Sequence, residues 1–248
     1  KTGSSAPQLL RSSIVDMTMG LQPKETSTIL LVRHGQTEWN SAGRFQGHKD
    51  SPLTPEGLLQ AEALGKRLKA INRQVDSICA SDLPRAYKTA EIIAEGIGME
   101  GAEVMRVSEI KERSYGIFEG LTSSEIKDKY PEELKESEKF DLDYRVPDGE
   151  SRREVLDRCM TALESIADTG AGKTTMVVTH GGVVSILLRD LLGIPFGTGR
   201  PKGSMRIRNT SICEMRRELD GRWSILSIGD IAHIETLGLG EAQAEPVE

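Results

Sequence analysis

The sequence predicts an α/β protein: a single three-layer α/β/α domain with a mostly parallel sheet and an antiparallel edge. Three observations carry this. Short apolar runs of strand length alternate with longer runs of helical period, as in successive βα units with helices on both faces of a sheet. The last two strand-type runs are joined by a tight turn at Asp220-Gly221, which adds antiparallel pairing. The composition, 37% hydrophobic and 28% charged over 248 residues, is that of an ordinary globular chain and shows no internal repeat.

The elements follow in order. Ile29–Val32 is a β-branched and aliphatic strand. Thr54-Pro55-Glu56 opens a helix with Thr54 as N-cap and Pro55 in the first turn, where its missing N–H is not needed. Leu58, Ala61, Leu64, Leu68 and Ile71 continue it at helical spacing. Val75–Ala80 reads as a second strand, Leu83–Ile97 as a helix ending near Gly98, and Val104–Val107 as a short third strand. Ser123–Tyr130 reads as an acidic helix followed by Asp- and Glu-rich chain. Ser151-Arg152-Arg153-Glu154 is a capping box opening the helix of Val155, Leu156, Cys159, Leu163 and Ile166. Thr174–Val178 is a buried strand followed at once by the apolar helix Val183–Leu192, and Met205–Arg216 and Trp223–Ile228 form the closing pair.

The ends stand apart. Residues 1–27 are rich in Ser and Thr without a sustained period, and read as an arm, a tag or the remnant of a transit peptide. Residues 28–238 form the domain and 239–248 an acidic, solvated tail. Cys79, Cys159 and Cys213 are far apart and odd in number, which fits reduced thiols in the cytoplasm, or in an organellar lumen if the arm is a transit remnant. A net charge of −6 argues against nucleic-acid or anionic-membrane binding, and no apolar run approaches the roughly 18 residues of a membrane span. Oligomeric state is left open.

Gly170-Ala171-Gly172-Lys173-Thr174-Thr175 imitates the second half of a phosphate-binding P-loop. The full pattern needs a glycine where this chain has Ala167, and a strand before and helix after, whereas here the order is reversed. The segment reads as a helix end and turn.

The informative segment is Arg33-His34-Gly35-Gln36-Thr37-Glu38-Trp39-Asn40, directly at the C-terminal end of the first strand, where ligands bind in open α/β sheets. Ala80-Ser81-Asp82-Leu83-Pro84-Arg85-Ala86 places an arginine in the first turn after the second strand, and Thr179-His180-Gly181-Gly182 a second histidine at another strand end. Adjacent parallel strands would gather these two histidines and two arginines at one rim.

These three segments, in this order and spacing, resemble the histidine phosphatase superfamily in its phosphoglycerate-mutase-like branch, from about Thr28 to about Glu235. The resemblance implies that His34 is the nucleophile and becomes a phosphohistidine, with its other ring nitrogen held by a backbone carbonyl, that of Gly35. It implies that Arg33, Arg85 and His180 form a metal-free cationic clamp on the transferred phosphoryl group, with Asn40 adding a neutral donor; no metal or other cofactor is expected. Glu112, in Ile110-Lys111-Glu112-Arg113-Ser114-Tyr115-Gly116, matches the general acid, its pKa raised by desolvation and a nearby phosphate; Glu109 is the competitor in sequence. Gln46, Gly47, Tyr115 and Gly181 match phosphate- or substrate-contacting positions. Lys202, Arg206 and Arg208 read as a solvated strand edge and Arg152 and Arg153 as exposed first-turn residues, while His48 and His233 are unassigned.

The expected partner is a small phosphorylated metabolite, with neither nucleic acid nor membrane. The expected activity is hydrolysis of its phosphomonoester. A 2,3-bisphosphoglycerate-dependent phosphoglycerate mutase is the first alternative and a non-catalytic binding module the second. Relatives that are mutases carry a longer insertion with a lysine and paired arginines. Here Gly120–Glu150 is short and acidic, and Pro147-Asp148-Gly149-Glu150-Ser151 looks like the phosphatase members.

Overall fold

The structure, a computed structural model, describes residues 25–101, 103–197, 205–235 and 238. Most of the expected arm, the acidic tail and Lys202 lie outside the described residues. Six strands form one sheet: β1 (Ser27–Arg33), β2 (Ser77–Ala80), β3 (Met105–Arg106), β4 (Thr174–Thr179), β5 (Ile212–Arg217) and β6 (Trp223–Asp230), in the order β3-β2-β4-β1-β5-β6. β3, β2, β4 and β1 pair in parallel, and β5 and β6 add antiparallel strands beside β1.

The central strands are apolar throughout because both faces are covered. Along β1, Ile29 and Leu31 join one core while Leu30 and Val32 join the other, and β4 divides Val177 from Met176 and Val178 in the same way. Helices α6 (Arg152–Thr169) and α7 (Gly181–Leu191) supply the first core. Helices α2 (Pro55–Ala70) and α3 (Pro84–Ile97) supply the second. These are the three layers expected. Leu58 and Ile71, placed on the buried face of α2 by spacing, are instead 38% and 57% exposed. The inner face of α2 is cut for closeness rather than bulk: a Cβ on Gly65 would lie 2.8 Å from Cα of Gly96 on α3.

The caps are where the sequence placed them. Thr54 accepts from the N–H of Gly57, and Ser151 and Glu154 form a reciprocal capping box. The P-loop-like segment is the end of α6 and the turn into β4, with Gly172 at φ +75°. Two short helices, α4 (Ser123–Lys129) and α5 (Pro131–Ser137), follow a single-turn α1 (Glu38–Ser41) in chain order and cover the sheet rim, while α8 (Ala232–Glu235) follows β6. α5 replaces the irregular chain expected there; Pro131 at its first turn and Glu132 and Glu133 beside it are ordinary helix-start chemistry.

The largest departure is at β5, which begins at Ile212 and not at Met205. Residues 205–211 run as a loop beneath the rim, and Arg206 and Arg208 lie on it rather than on a strand edge. All three cysteines are buried free thiols, and no described helix is long and apolar enough to cross a membrane.

Candidate active site

Pairing of β1 with β4 sets Arg33 opposite Thr179, so the next residues, His34 and His180, leave the sheet side by side. Their rings meet edge to face with centroids 5.2 Å apart. Arg33, His34, Asn40, Gln46, Gly47, Arg85, Glu112 and Tyr115 line one small polar cleft at this rim.

Each side chain is held by its local backbone. Nδ1 of His34 lies 2.7 Å from the carbonyl of Gly35. Gly35 is glycine because α2 crosses it: a Cβ would lie 2.6 Å from the carbonyl oxygen of Gly57. The N–H of Gly35 donates to Oγ1 of Thr89, which donates to the carbonyl of Arg85, tying the histidine loop to α3. Asn40 closes a capping box with Thr37 on α1; its Oδ1 accepts from the N–H and hydroxyl of Thr37, so its amide nitrogen is the end left for the cleft. Arg85, 2% exposed, donates to the carbonyls of Gly47 (2.8 Å) and Lys49 (2.9 Å) and to Oδ1 of Asp50 (2.9 Å). Gly47 has φ +56°, and a Cβ there would strike the Glu119 carboxylate.

Burial, then the guanidinium of Arg85, then that of Arg33 hold the pKa of His34 well below the usual imidazole value, against the Gly35 hydrogen bond. His180 is lowered in the same direction by burial first, then Arg85, His34 and Arg33. Burial and the two guanidiniums thus favour the neutral form of His180, which packs against His34 but does not itself line the cleft. Nε2 of His180 is 2.8 Å from Oγ of Ser81, while its Nδ1 is buried without a hydrogen-bond partner.

Glu112 is 4% exposed. Its Oε1 accepts from the N–H of Arg113 (2.8 Å) and its Oε2 from the N–H of Gly182 (3.1 Å), at the start of α7. Glu109 is exposed and outside the cleft, which decides the competition for position in favour of Glu112. Gly181 does not line the cleft; a Cβ there would press on the Arg33 guanidinium at 3.2–3.3 Å. It is the next N–H, that of Gly182, which is used, and by Glu112.

Sequence reasoning missed the loop 205–211. The carbonyl of Ile207 accepts from Nη1 of Arg33 at 2.7 Å, and Nδ2 of Asn209 donates to the carbonyl of His34 at 2.9 Å. Thr210, at φ +53°, donates its N–H to the carbonyl of Arg33 and shares a 2.9 Å hydrogen bond with Nε2 of His233. His233 is therefore a buried support of this loop. His48 lies 2.9 Å from the carbonyl of Glu112 through Nε2. Arg152 is the other correction: it is buried at 6% exposure, and only Arg153 is a surface residue, paired with Asp143. Among the described residues no cluster of His, Cys, Asp and Glu has the makings of a metal site.

Fold and cleft together define an α/β protein with paired histidines and buried arginines at the C-terminal rim of its parallel strands. The chain belongs to the histidine phosphatase superfamily (branch 1), whose family model matches residues 29–231. It is 34% identical to the Escherichia coli protein named "Probable phosphoglycerate mutase GpmB" over 219 residues, covering 87% of this chain and 98% of that one. Among solved structures it is similar to Bacillus stearothermophilus YhfR (32% identity, TM-score 0.75, covering 84% of this chain and 99% of that one). It is also similar to a mycobacterial glucosyl-3-phosphoglycerate phosphatase in complex with VO3 (28% identity, TM-score 0.70, covering 82% and 98%). The superfamily comprises phosphatases and phosphoglycerate-mutase-like proteins.

Proposed function

We propose that the protein is a metal-independent phosphomonoesterase acting through a phosphohistidine on His34. The observation that carries this is the 2.7 Å contact between Nδ1 of His34 and the Gly35 carbonyl: a carbonyl only accepts, so the ring proton belongs on Nδ1 and the Nε2 lone pair is left for attack, and the depressed pKa favours that neutral form. Nε2 attacks phosphorus in line, the P–O bond to the alcohol breaks, and Glu112 donates its proton to the departing oxygen. Arg33 and Arg85 bear the charge of the transferred group, and Nδ1 of His180 is the nitrogen left to meet a phosphoryl oxygen. Glu112, now a carboxylate, takes a proton from water, which attacks phosphorus, breaks the P–N bond and releases phosphate. Asn40, Gln46, Gly47 and Tyr115 shape the pocket. Gly181 acts from behind, by giving Arg33 room.

The likeness to a glucosyl-3-phosphoglycerate phosphatase supports hydrolysis, as does the shortness of α4 and α5. Two observations favour the mutase as second reading: the GpmB likeness, and the arginines Arg152 and Arg189, which line a cavity beside the cleft, come from outside Gly120–Glu150 and so escape the argument from that segment. ³¹P NMR of 3-phosphoglycerate with and without 2,3-bisphosphoglycerate separates them. Phosphate release should exceed isomerisation by at least about tenfold, roughly 1.4 kcal/mol in barrier. Rapid isomerisation with little free phosphate would establish the mutase instead.

A further inference from the structure

The wall that carries Glu112 has a second side. A cavity of about 700 Å³ opens there, sharing Phe45 and Tyr115 with the polar cleft and bounded by Gly182, whose N–H holds the Glu112 carboxylate. A proton donor stands beside the departing oxygen, so the rest of the alcohol extends from Glu112 into this space. Its volume is that of a drug-sized ligand site, far more than a three-carbon acid fills.

Three arginines line it and are 5%, 6% and 8% exposed: Arg113 after Glu112, Arg152 at the start of α6 and Arg189 in the last turn of α7. Other arginines near the rim have carboxylate partners, Arg85 with Asp50 and Arg158 with Glu150. Among the described residues these three have none. Arg152 donates only to the carbonyls of Ser137 and Asp141, Arg189 only to that of Pro195, and Nε of Arg113 is buried without a hydrogen-bond partner. The guanidiniums lie over aromatic rings instead: Arg113 over Tyr115 at 4.7 Å, and Arg152 and Arg189 over Phe140 at 4.4 and 5.4 Å. Burial, then the charge of Arg113, and also that of Arg189 push the Arg152 guanidinium down to about 9, against the smaller opposing pull of Tyr115 and Asp141. Lys127 and Glu138 complete the rim. Buried cations without an anion are unfavourable and are found where an anion binds.

We propose that this cavity receives the alcohol half of the substrate, and that the substrate is a phosphomonoester whose alcohol is bulky, partly apolar and ends in a second anionic group gripped by Arg113, Arg152 and Arg189. The identification of the alcohol as leaving group rests on the phosphomonoesterase reading; the anion grip does not. The apolar body packs on Phe45, Tyr115 and Phe140, and the anion completes the three cations.

The test uses hydroxybiphenyl phosphates bearing, on the second ring, a carboxylate, a phosphonate or the neutral carboxamide. In the full-length protein, kcat/KM for the better acidic ester should exceed that for the carboxamide by at least about tenfold, as for a hydrogen bond to a charged group. Arg152→Gln and Arg189→Gln should each reduce that ratio about tenfold, whatever they do to absolute rates, and Arg152→Lys should restore part of it. Which acid wins distinguishes a carboxylate from a second phosphate. A ratio near one in wild type, or one that neither glutamine variant moves, overturns the proposal while leaving the phosphatase intact. If none of the esters is turned over, the phosphomonoesterase reading fails and calorimetry with the parent hydroxybiphenyls decides the grip. Tighter binding of the acids than of the amide by about tenfold, lost in Arg152→Gln, supports it, and equal binding overturns it.

Discussion

Nδ1 of His34 and the carbonyl oxygen of Gly35 are 2.7 Å apart, and because a carbonyl only accepts, the imidazole proton is fixed on Nδ1. In the proposed mechanism, the backbone that builds the turn thus also chooses the attacking atom. His34→Ala removes that atom but leaves the Gly35–Gly57 packing untouched. Turnover should fall by roughly 10⁴-fold or more with the circular dichroism spectrum unchanged. After rapid quenching with phosphate-labelled substrate, acid-labile and base-stable label should appear on wild type alone. Label on any other residue would refute the assignment.

Arg85 acts electrostatically on His34 and, in the proposed mechanism, on the phosphoryl group as well. Its positive charge is the second cause, after burial, of the depressed His34 pKa. A cation nearby disfavours imidazolium, so removing it raises the pKa. Wild type should therefore keep its activity as pH falls below about 6.5, the ordinary imidazole value. Arg85→Gln should lose about 10²–10³ in kcat/KM, and its acid limb should move to higher pH. The comparison of the two profiles cancels the substrate's own ionisation. A limb that stays in place would show that Arg85 does not set the charge state of His34.

Much of the site was legible because its signals are local. His34 and His180 each follow an apolar strand run and precede glycine, so parallel pairing was enough to bring them together. Thr54 and Ser151 announce helix starts through short-range capping. What was missed depends on long-range contact. Asn209 and Ile207 hold His34 and Arg33 across 175 and 174 residues of chain, through backbone carbonyls that no side-chain pattern encodes. The closing strand expected from Met205 begins only at Ile212, because a left-handed Thr210 interrupts the extended chain before it. Arg152 looked solvent-facing because first-turn residues usually are; the cavity under α5 and Phe140 that buries it is a property of the cover, which spacing does not describe.

The proposed role of Glu112 separates proton delivery from phosphate binding. Glu112→Gln keeps the shape of the side chain and one of the two acceptor contacts, from Arg113 or from Gly182, and cannot supply a proton. Alkyl phosphates, whose alkoxides leave poorly, should slow by about a hundredfold or more; activated aryl phosphates should slow much less. The measurement is the slope of log kcat/KM against leaving-group pKa, which should steepen in the variant. An equal loss on both ester types would make Glu112 a positioning residue only.

His233 gives the fold a pH dependence that reaches the site. It is 2% exposed on α8, and its Nε2 is 2.9 Å from Oγ1 of Thr210, the residue that donates to the carbonyl of Arg33. Burial first, then the Arg67 charge, lower its pKa to about 4, with Asp230 opposing. An unfolded chain holds this imidazole at about 6.5, so between the two values the unfolded state binds more protons than the native one. The contribution is complete above about pH 6.5 and is lost as pH falls towards 4. A shift of that size corresponds to about 3 kcal/mol at most. Other groups also take up protons as the pH falls, so the informative quantity is the difference between wild type and His233→Gln in urea unfolding. At pH 7.5 the variant should be less stable by about 1–2 kcal/mol, for the altered hydrogen bond to Thr210. Down to pH 4.5 the gap should close and then reverse, because the variant has no proton to take up there. Parallel stability curves across this range would mean that His233 binds its proton alike in the native and unfolded states, and that its burial brings no pH dependence to the loop beneath His34.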